Sequence, residues 1–284
     1  MAYRTILVCL NDIARNPVLL DLTSDIAERQ DAHVIGLYVL PAVRIYPAIG
    51  PGMYAEVIEE FRDSFKARAA EVRRQFDGHM QAKGIAAEWR FVDSRFPEIA
   101  ATVIEHARQA DLVVVSQVDP DSDSGIDIDF AERIVMDSGR PVLVVPAFGT
   151  FKRCGPRALV GWNGRREAAR AAFDAVPLLQ ACESVQVTWL DPQNDMDVSG
   201  DVPGSLAGAE LATALARHGL KVTAEAMPTS GIGAGEALLS HASDLGADLL
   251  VMGAYGHSRT REYVFGGATR TILGSMTIPV LMSH

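Results

Sequence analysis

The 284 residues carry a formal net charge of −10, 48% apolar residues and three cysteines. Two domains of ordinary size are expected at this length, and the acidic balance argues against a chain that grips nucleic acid or an anionic lipid surface. The first ten residues hold one Arg and an apolar run too short for a secretory segment, and no run approaches the ~20 apolar residues of a membrane span. A soluble, cytoplasmic protein with neither nucleic acid nor membrane as partner is the expectation.

In chain order, apolar strand-type runs alternate with helical patterns. Strands are expected at Thr5 to Leu10, His33 to Val39, Glu88 to Val92, Leu112 to Ser116 and Val142 to Val145, with helices at Pro17 to Gln30, Met53 to Lys83, Pro97 to Gln109 and Asp129 to Ser138. After an interruption by Pro, Gly and basic residues between Pro146 and Pro156, strands follow at Ala158 to Trp162, Ser184 to Leu190, Lys221 to Ala226, Leu249 to Met252 and Pro279 to Met282. Helices between them are expected at Arg166 to Gln180, Gly204 to His218, Gly233 to Leu245 and Ala268 to Gly274. Alternation of this kind builds β-α-β units and a parallel sheet. Cys9 falls inside the first strand and reads as a small core residue; Cys154 and Cys182 complete no CxxC or metal-type spacing.

The pattern repeats. Thr5-Ile-Leu-Val-Cys-Leu-Asn11 is echoed by Arg157-Ala-Leu-Val-Gly-Trp-Asn163, Ala110-Asp-Leu-Val-Val-Val115 by Ala247-Asp-Leu-Leu-Val-Met252, and Arg140-Pro-Val-Leu-Val-Val145 by Ile278-Pro-Val-Leu-Met282. Two homologous halves, 1–150 and 151–284, account for this. Their net charges are −8 and −2.

Chemistry concentrates near the C-terminus, in Asp248 to Gly267. Leu249 to Met252 is a short apolar strand followed by Gly253 and Gly256, and nine residues on come Gly266 and Gly267, ahead of the helix starting at Ala268. Glycines at a strand-to-helix turn let backbone N–H groups converge on an anion, and the helix adds the positive end of its dipole. The bland alternative is that the four glycines only shape a tight connection.

Gly253-x2-Gly256-x9-Gly266, set between an apolar strand and a terminal strand, resembles the nucleotide-binding signature of the ATP-binding branch of the universal stress protein family. The resemblance implies an α/β fold of two tandem doubly wound parallel five-stranded sheets, each in strand order 3-2-1-4-5, packed as an internal pseudo-dimer through their terminal edge strands. It also implies an adenine nucleotide, ATP or a relative with Mg, held in the second half at Gly253, Gly256, His257, Gly266, Gly267, Ala268 and Thr269. Where the family has Ser or Thr after its last glycine this chain has Gly267, and Thr269 is the nearby hydroxyl. Where the family has an acid at the end of the first strand this chain has Asn163, which can contact a nucleoside or cap the following helix. Leu190 stands where main-chain groups recognise adenine. Arg165, with Arg166, Arg259 and Arg261, forms a local basic excess suited either to phosphates or to plain solvation.

In the first half, Asp119, Asp121, Asp123, Asp127 and Asp129 stand where the second half has glycines and basic residues, so that half reads as a degenerate copy. An EF-hand starting at Asp119 fails at Ser124 and Phe130. No GxSxG, HExxH or GxxxxGK[ST] is present; His241 with Asp244, and His106 with Glu105, read as surface helix pairs. The leading expectation is a binding protein of the stress response with at most slow ATP hydrolysis. An interaction scaffold with an empty crevice and an adenylate-chemistry enzyme are the alternatives, and association of whole tandem chains into a homodimer is compatible with the sequence but not constrained by it.

Overall fold

Buried parallel strands read as continuous apolar runs because helices cover both their faces, and this sequence supplies them in order. The computed structural model describes residues 2–42, 51–122, 125–191, 208–229, 231–256 and 267–284. Its strands are β1 (Thr5–Cys9), β2 (His33–Leu40), β3 (Ala87–Asp93), β4 (Leu112–Ser116), β5 (Val142–Val145), β6 (Arg157–Trp162), β7 (Ser184–Leu190), β8 (Val222–Met227), β9 (Leu249–Gly253) and β10 (Val280–Ser283). The helices are α1 (Asn16–Gln30), α2 (Pro51–Lys83), α3 (Ile99–Ala107), α4 (Phe130–Asp137), α5 (Arg166–Asp174), α6 (Val176–Leu179), α7 (Ala209–Ala216), α8 (Ala234–Leu245) and α9 (Ala268–Ser275).

All ten strands form one sheet in the order β3-β2-β1-β4-β5-β10-β9-β6-β7-β8. Each half is thus a doubly wound five-stranded parallel sheet in the expected order, and the halves join where β5 and β10 pair antiparallel, Val280 opposite Val144 and Met282 opposite Val142. Each of these apolar strands would otherwise be an edge open to pairing with another chain. The outer edges fall to β3 and β8, whose residues are mostly half-buried or exposed. Two apolar layers flank the sheet and both run through the seam. One gathers Leu19, Phe76, Ala171, Leu178 and Leu215 from α1, α2, α5, α6 and α7. The other gathers Ile104, Ile134, Leu238 and Ile272 from α3, α4, α8 and α9.

The helix expected over Arg166 to Gln180 is instead two, α5 and α6, with Pro177 near the start of α6. Proline lacks the N–H that would continue the ladder and clashes with the preceding turn. Of the helix expected over Gly204 to His218, residues 204–207 lie outside the described residues; the described part begins after Gly208, whose φ is +78°. The repeated Ala-Asp-Leu has a structural task. Asp111 accepts the N–H groups of Arg4 and Thr5 at 2.8 and 2.9 Å, and Asp248 accepts that of Arg157 at 3.1 Å, so each anchors the entry of the neighbouring strand. Among the described residues no helix is long and apolar enough to cross a membrane.

In doubly wound sheets the ligand crevice lies at the carboxyl ends of the two central strands, where the winding reverses. Here these pairs are β1 with β4 and β6 with β9.

Candidate functional site

At the end of β6 the side chain of Asn163 accepts the backbone N–H of Arg165 at 3.1 Å. This short-range turn, with Gly164 at a φ of +72°, turns the chain into α5. Arg165 then reaches across the crevice and donates from Nη1 to the carbonyl of Gly256 at 3.3 Å. The loop after β6 and the loop after β9 are therefore stitched together at the switch point, where Asn163, Arg165 and Gly256 meet. A Cβ built at Gly256 would lie 3.4 Å from Glu167 Oε2, 3.6 Å from Arg165 Cδ and 3.6 Å from Asn163 Nδ2.

Gly253 does something different. A Cβ there would come within 2.4 Å of the Ala168 nitrogen and 2.5 Å of the Glu167 carbonyl carbon. This glycine lets the first turn of α5 press onto the end of β9, a packing requirement independent of any ligand. Beyond it the chain turns through Tyr255, which is buried and held at a φ of +56°, a left-handed conformation that costs a non-glycine residue roughly 1–2 kcal/mol. The Tyr255 N–H is received by Thr269 Oγ1 at 3.1 Å, and Ala254 is held through its N–H to Ser283 at 2.9 Å. The Thr269 hydroxyl, 1% exposed, thus works inside the turn; it does not stand in the crevice as a substitute for the hydroxyl missing at Gly267.

Gly267 caps α9 without a side-chain hydrogen bond, and the first turn of the helix holds no acidic residue. The first N–H groups of an α-helix have no partner within it, and here those of Ala268 and Thr269 begin the helix; the carbonyl of Gly267 serves Arg270 and Thr271. The start of α8 packs close beside it, since a Cβ at Gly235 would meet the Ala268 carbonyl oxygen at 2.9 Å. Leu190 ends β7, one strand over from β6, and is followed by Asp191 at a φ of +45°, whose carboxylate accepts the N–H and hydroxyl of Thr229. His257 and Gly266, with Arg259 and Arg261, lie outside the described residues.

One residue at this site was invisible in the motif. Glu167, the second residue of α5, is buried; its Oε1 pairs with Arg166 Nε at 2.7 Å and its Oε2 has no hydrogen-bond partner. Burial by itself raises its pKa, but the bond from Arg166, its own backbone N–H, the Arg166 charge and the nearby His284 outweigh that and hold the carboxyl below its ordinary range. The only signal in the sequence was an acid in the first turn of the helix that follows Asn163. Arg166 itself is largely solvated.

The equivalent position in the first half is bonded differently. Asn11 accepts the Val39 N–H at 2.9 Å and donates to the Val39 carbonyl at 2.8 Å, which commits its amide to β2. Burial raises the pKa of Asp12, with the Ser116 hydroxyl across the switch point and Arg15 opposing it, and Arg15 donates to the Gly149 carbonyl at 3.0 Å. Asp121, Asp127 and Asp129 are exposed, and Asp123 lies outside the described residues. The histidine readings change in detail. His241 meets Glu225 of β8, not Asp244, and His106 sits against Arg90, its pKa lowered by burial and by that charge. Cys9 is a buried thiol, pushed up to about 12 by burial.

The sequence profile of the universal stress protein family matches residues 2–146 and again 157–284. A universal stress protein of Synechocystis sp. is 42% identical over 154 residues, a match covering 53% of this chain and 49% of that protein, so the chain spans about half the length of this curated relative. A universal stress protein from Archaeoglobus fulgidus superposes with a TM-score of 0.71 at 16% identity, covering 98% of this chain and 95% of its own. A functionally unknown protein from Pseudomonas aeruginosa superposes with a TM-score of 0.59 at 15% identity, covering 99% and 92%. At such identities the structural likeness shows the shared fold, while the doubled profile match shows the lineage: this chain belongs to the universal stress protein family, carrying its domain twice.

Proposed function

We propose that the second half, residues 151–284, holds an adenine nucleotide such as ATP at the carboxyl ends of β6 and β9, and that the first half, residues 1–150, is a degenerate copy that shapes and stabilises it. The nucleoside end lies toward Asn163 and the main chain of Leu190, and the phosphates lie toward Gly253, Gly256 and the start of α9, with His257 and Gly266 on the connecting loop. The observation that carries this reading is the N-terminus of α9, which opens on a glycine with no acidic residue in its first turn and is tied through Thr269 to the turn that contains Gly256. Backbone donors at a helix start favour an anion. The chain acts as a cytoplasmic stress-response binder, with ATP hydrolysis at most slow.

A second reading, an interaction scaffold with no nucleotide, is favoured by one feature: Glu167, Arg165 and Asn163 stand in ordinary contact distance of the Gly256 Cβ position. Calorimetric titration with ATP separates the two. The nucleotide reading expects one ATP per chain, and a Gly256→Val variant that folds but does not bind, because its methyls reach past the space a Cβ would fill. Two ATP per chain would refute the assignment to one half, and no binding would leave the scaffold.

A further inference from the structure

We infer that the first half carries a docking surface for another protein at the carboxyl ends of β1, β4 and β5, and that this surface takes a segment in which Lys or Arg residues alternate with apolar side chains. The inference stands independently of nucleotide binding in the second half.

Apolar side chains scattered singly over a surface need no explanation, but gathered ones mark a contact. Among the described residues six large hydrophobics are exposed, and three of them, Ile13 at 38%, Ile128 at 69% and Phe148 at 73%, stand in loops at one end of the sheet. β1, β4 and β5 are parallel neighbours in that order, so the loops that leave them lie side by side. Ile13 follows β1, Ile128 lies between β4 and α4, and Phe148 follows β5. Two hydrogen bonds hold these loops to one another. Arg15 Nη2 donates to the carbonyl of Gly149, the residue after Phe148, at 3.0 Å, and Gln117 Oε1 accepts the N–H of Ala147, the residue before it, at 2.9 Å. The other three, Phe91, Phe173 and Ile232, each belong to a different part of the fold: β3, α5 and the approach to α8.

The same loops are acidic, and this decides what covers the apolar groups. Ile128 is flanked by Asp127 and Asp129, both exposed, and Asp121 is exposed on the same loop. At the switch point the carboxyl of Asp12 is raised by burial first and also by the charge of Asp119, with Arg15 the neighbouring cation that opposes this. A negative field of this kind repels phosphates, which sets aside nucleic acid and anionic lipid, and a second copy of a chain at net −10 would bring like charge. A segment with apolar side chains between basic ones complements both features: an apolar group meets Ile128 while its neighbours meet Asp127 and Asp129. In such contacts the apolar anchors supply most of the affinity and the charges choose the partner.

The test is fluorescence polarisation of labelled synthetic peptides of about a dozen residues, long enough to cross three adjacent loops. One alternates Arg with Leu, one Arg with Ser and one Glu with Leu. The intact chain is expected to bind the Arg–Leu peptide saturably and each of the others about tenfold more weakly or worse. Ile128→Ser with Phe148→Ser, and separately Asp127→Asn with Asp129→Asn, should each weaken the Arg–Leu peptide by about tenfold. Glu210→Gln with Asp244→Asn removes the same charge from exposed positions on α7 and α8; it should change binding by less than about twofold, since distant surface charges are screened. Thermal unfolding checks the fold of each variant. An Arg–Leu peptide that does not bind, an Arg–Ser peptide that binds equally well, or an equal loss in the remote-charge variant would overturn the docking surface. Self-association of the intact chain in sedimentation that Phe148→Ser abolishes would also overturn it, by giving this face to a second copy.

Discussion

Thr269 Oγ1 accepts the backbone N–H of Tyr255 at 3.1 Å, joining the left-handed residue of the β9 turn to the first turn of α9. The bond is buried at both ends, so the turn owes its shape to a helix that begins more than ten residues later. Thr269→Val keeps the volume and removes the acceptor, leaving a buried N–H without it. A loss of roughly 1–3 kcal/mol in urea unfolding is expected, with Thr269→Ser close to wild type. A Val variant as stable as the parent would show that the bond contributes nothing.

Gly253 and Gly256 belong to one motif, yet they answer to different constraints. An Ala methyl at 253 meets rigid backbone of α5 at 2.4 Å, and overpacking of that kind costs about 1–3 kcal/mol or more. At 256 the nearest neighbours are 3.4 Å away and are side-chain atoms, and its φ is not in the left-handed region. Gly253→Ala should therefore lower the urea midpoint, whereas Gly256→Ala should leave stability within about 0.5 kcal/mol. Equal effects at the two positions would contradict this division.

Much of this could be read from the chain itself. Strands such as Leu112–Ser116 and Val142–Val145, buried at every residue, are legible because burial on both faces leaves only apolar residues. The internal repeat then fixed two like halves, and two apolar terminal strands required each other. What stayed hidden depends on approach in space. The motif shows that residue 253 is glycine, but not that α5 is the reason. It shows a threonine at 269, but not that its oxygen faces inward. Glu167 lay outside the motif, and only the first turn of α5 brings it to Gly256. Pro177 was legible as a helix breaker, and the longer helical periodicity concealed it.

Gln117 locks the halves at a second place besides the β5–β10 ladder. Its Nε2 donates to the Leu273 carbonyl of α9 at 2.8 Å, and its Oε1 accepts the Ala147 N–H at 2.9 Å. One amide therefore ties the end of β4 to the connecting segment and to the other half. Gln117→Met should cost about 1–3 kcal/mol by stranding both groups. Because the apolar layers run through the seam, calorimetry should show a single unfolding transition for the parent chain; two separated transitions would mean that the halves are energetically independent.

Asp12 offers a titration with a definite sign. Burial, the largest influence, raises its pKa above the ordinary carboxylate value; the Ser116 hydroxyl and Arg15 oppose this, and Asp119 adds to it. A raised folded-state pKa means that the folded chain holds the proton more tightly than the unfolded chain. Asp12 thus favours the fold when protonated, below the unfolded value, and that contribution is lost as pH rises through the folded value. Asn has nearly the same shape and cannot ionise, so Asp12→Asn should be more stable than wild type at neutral pH. The difference should shrink as the solution is acidified toward the ordinary Asp range, near pH 4. Urea midpoints of both proteins across that interval measure it, and a difference independent of pH would show that the carboxyl at the first-half switch point titrates as it does in the unfolded chain.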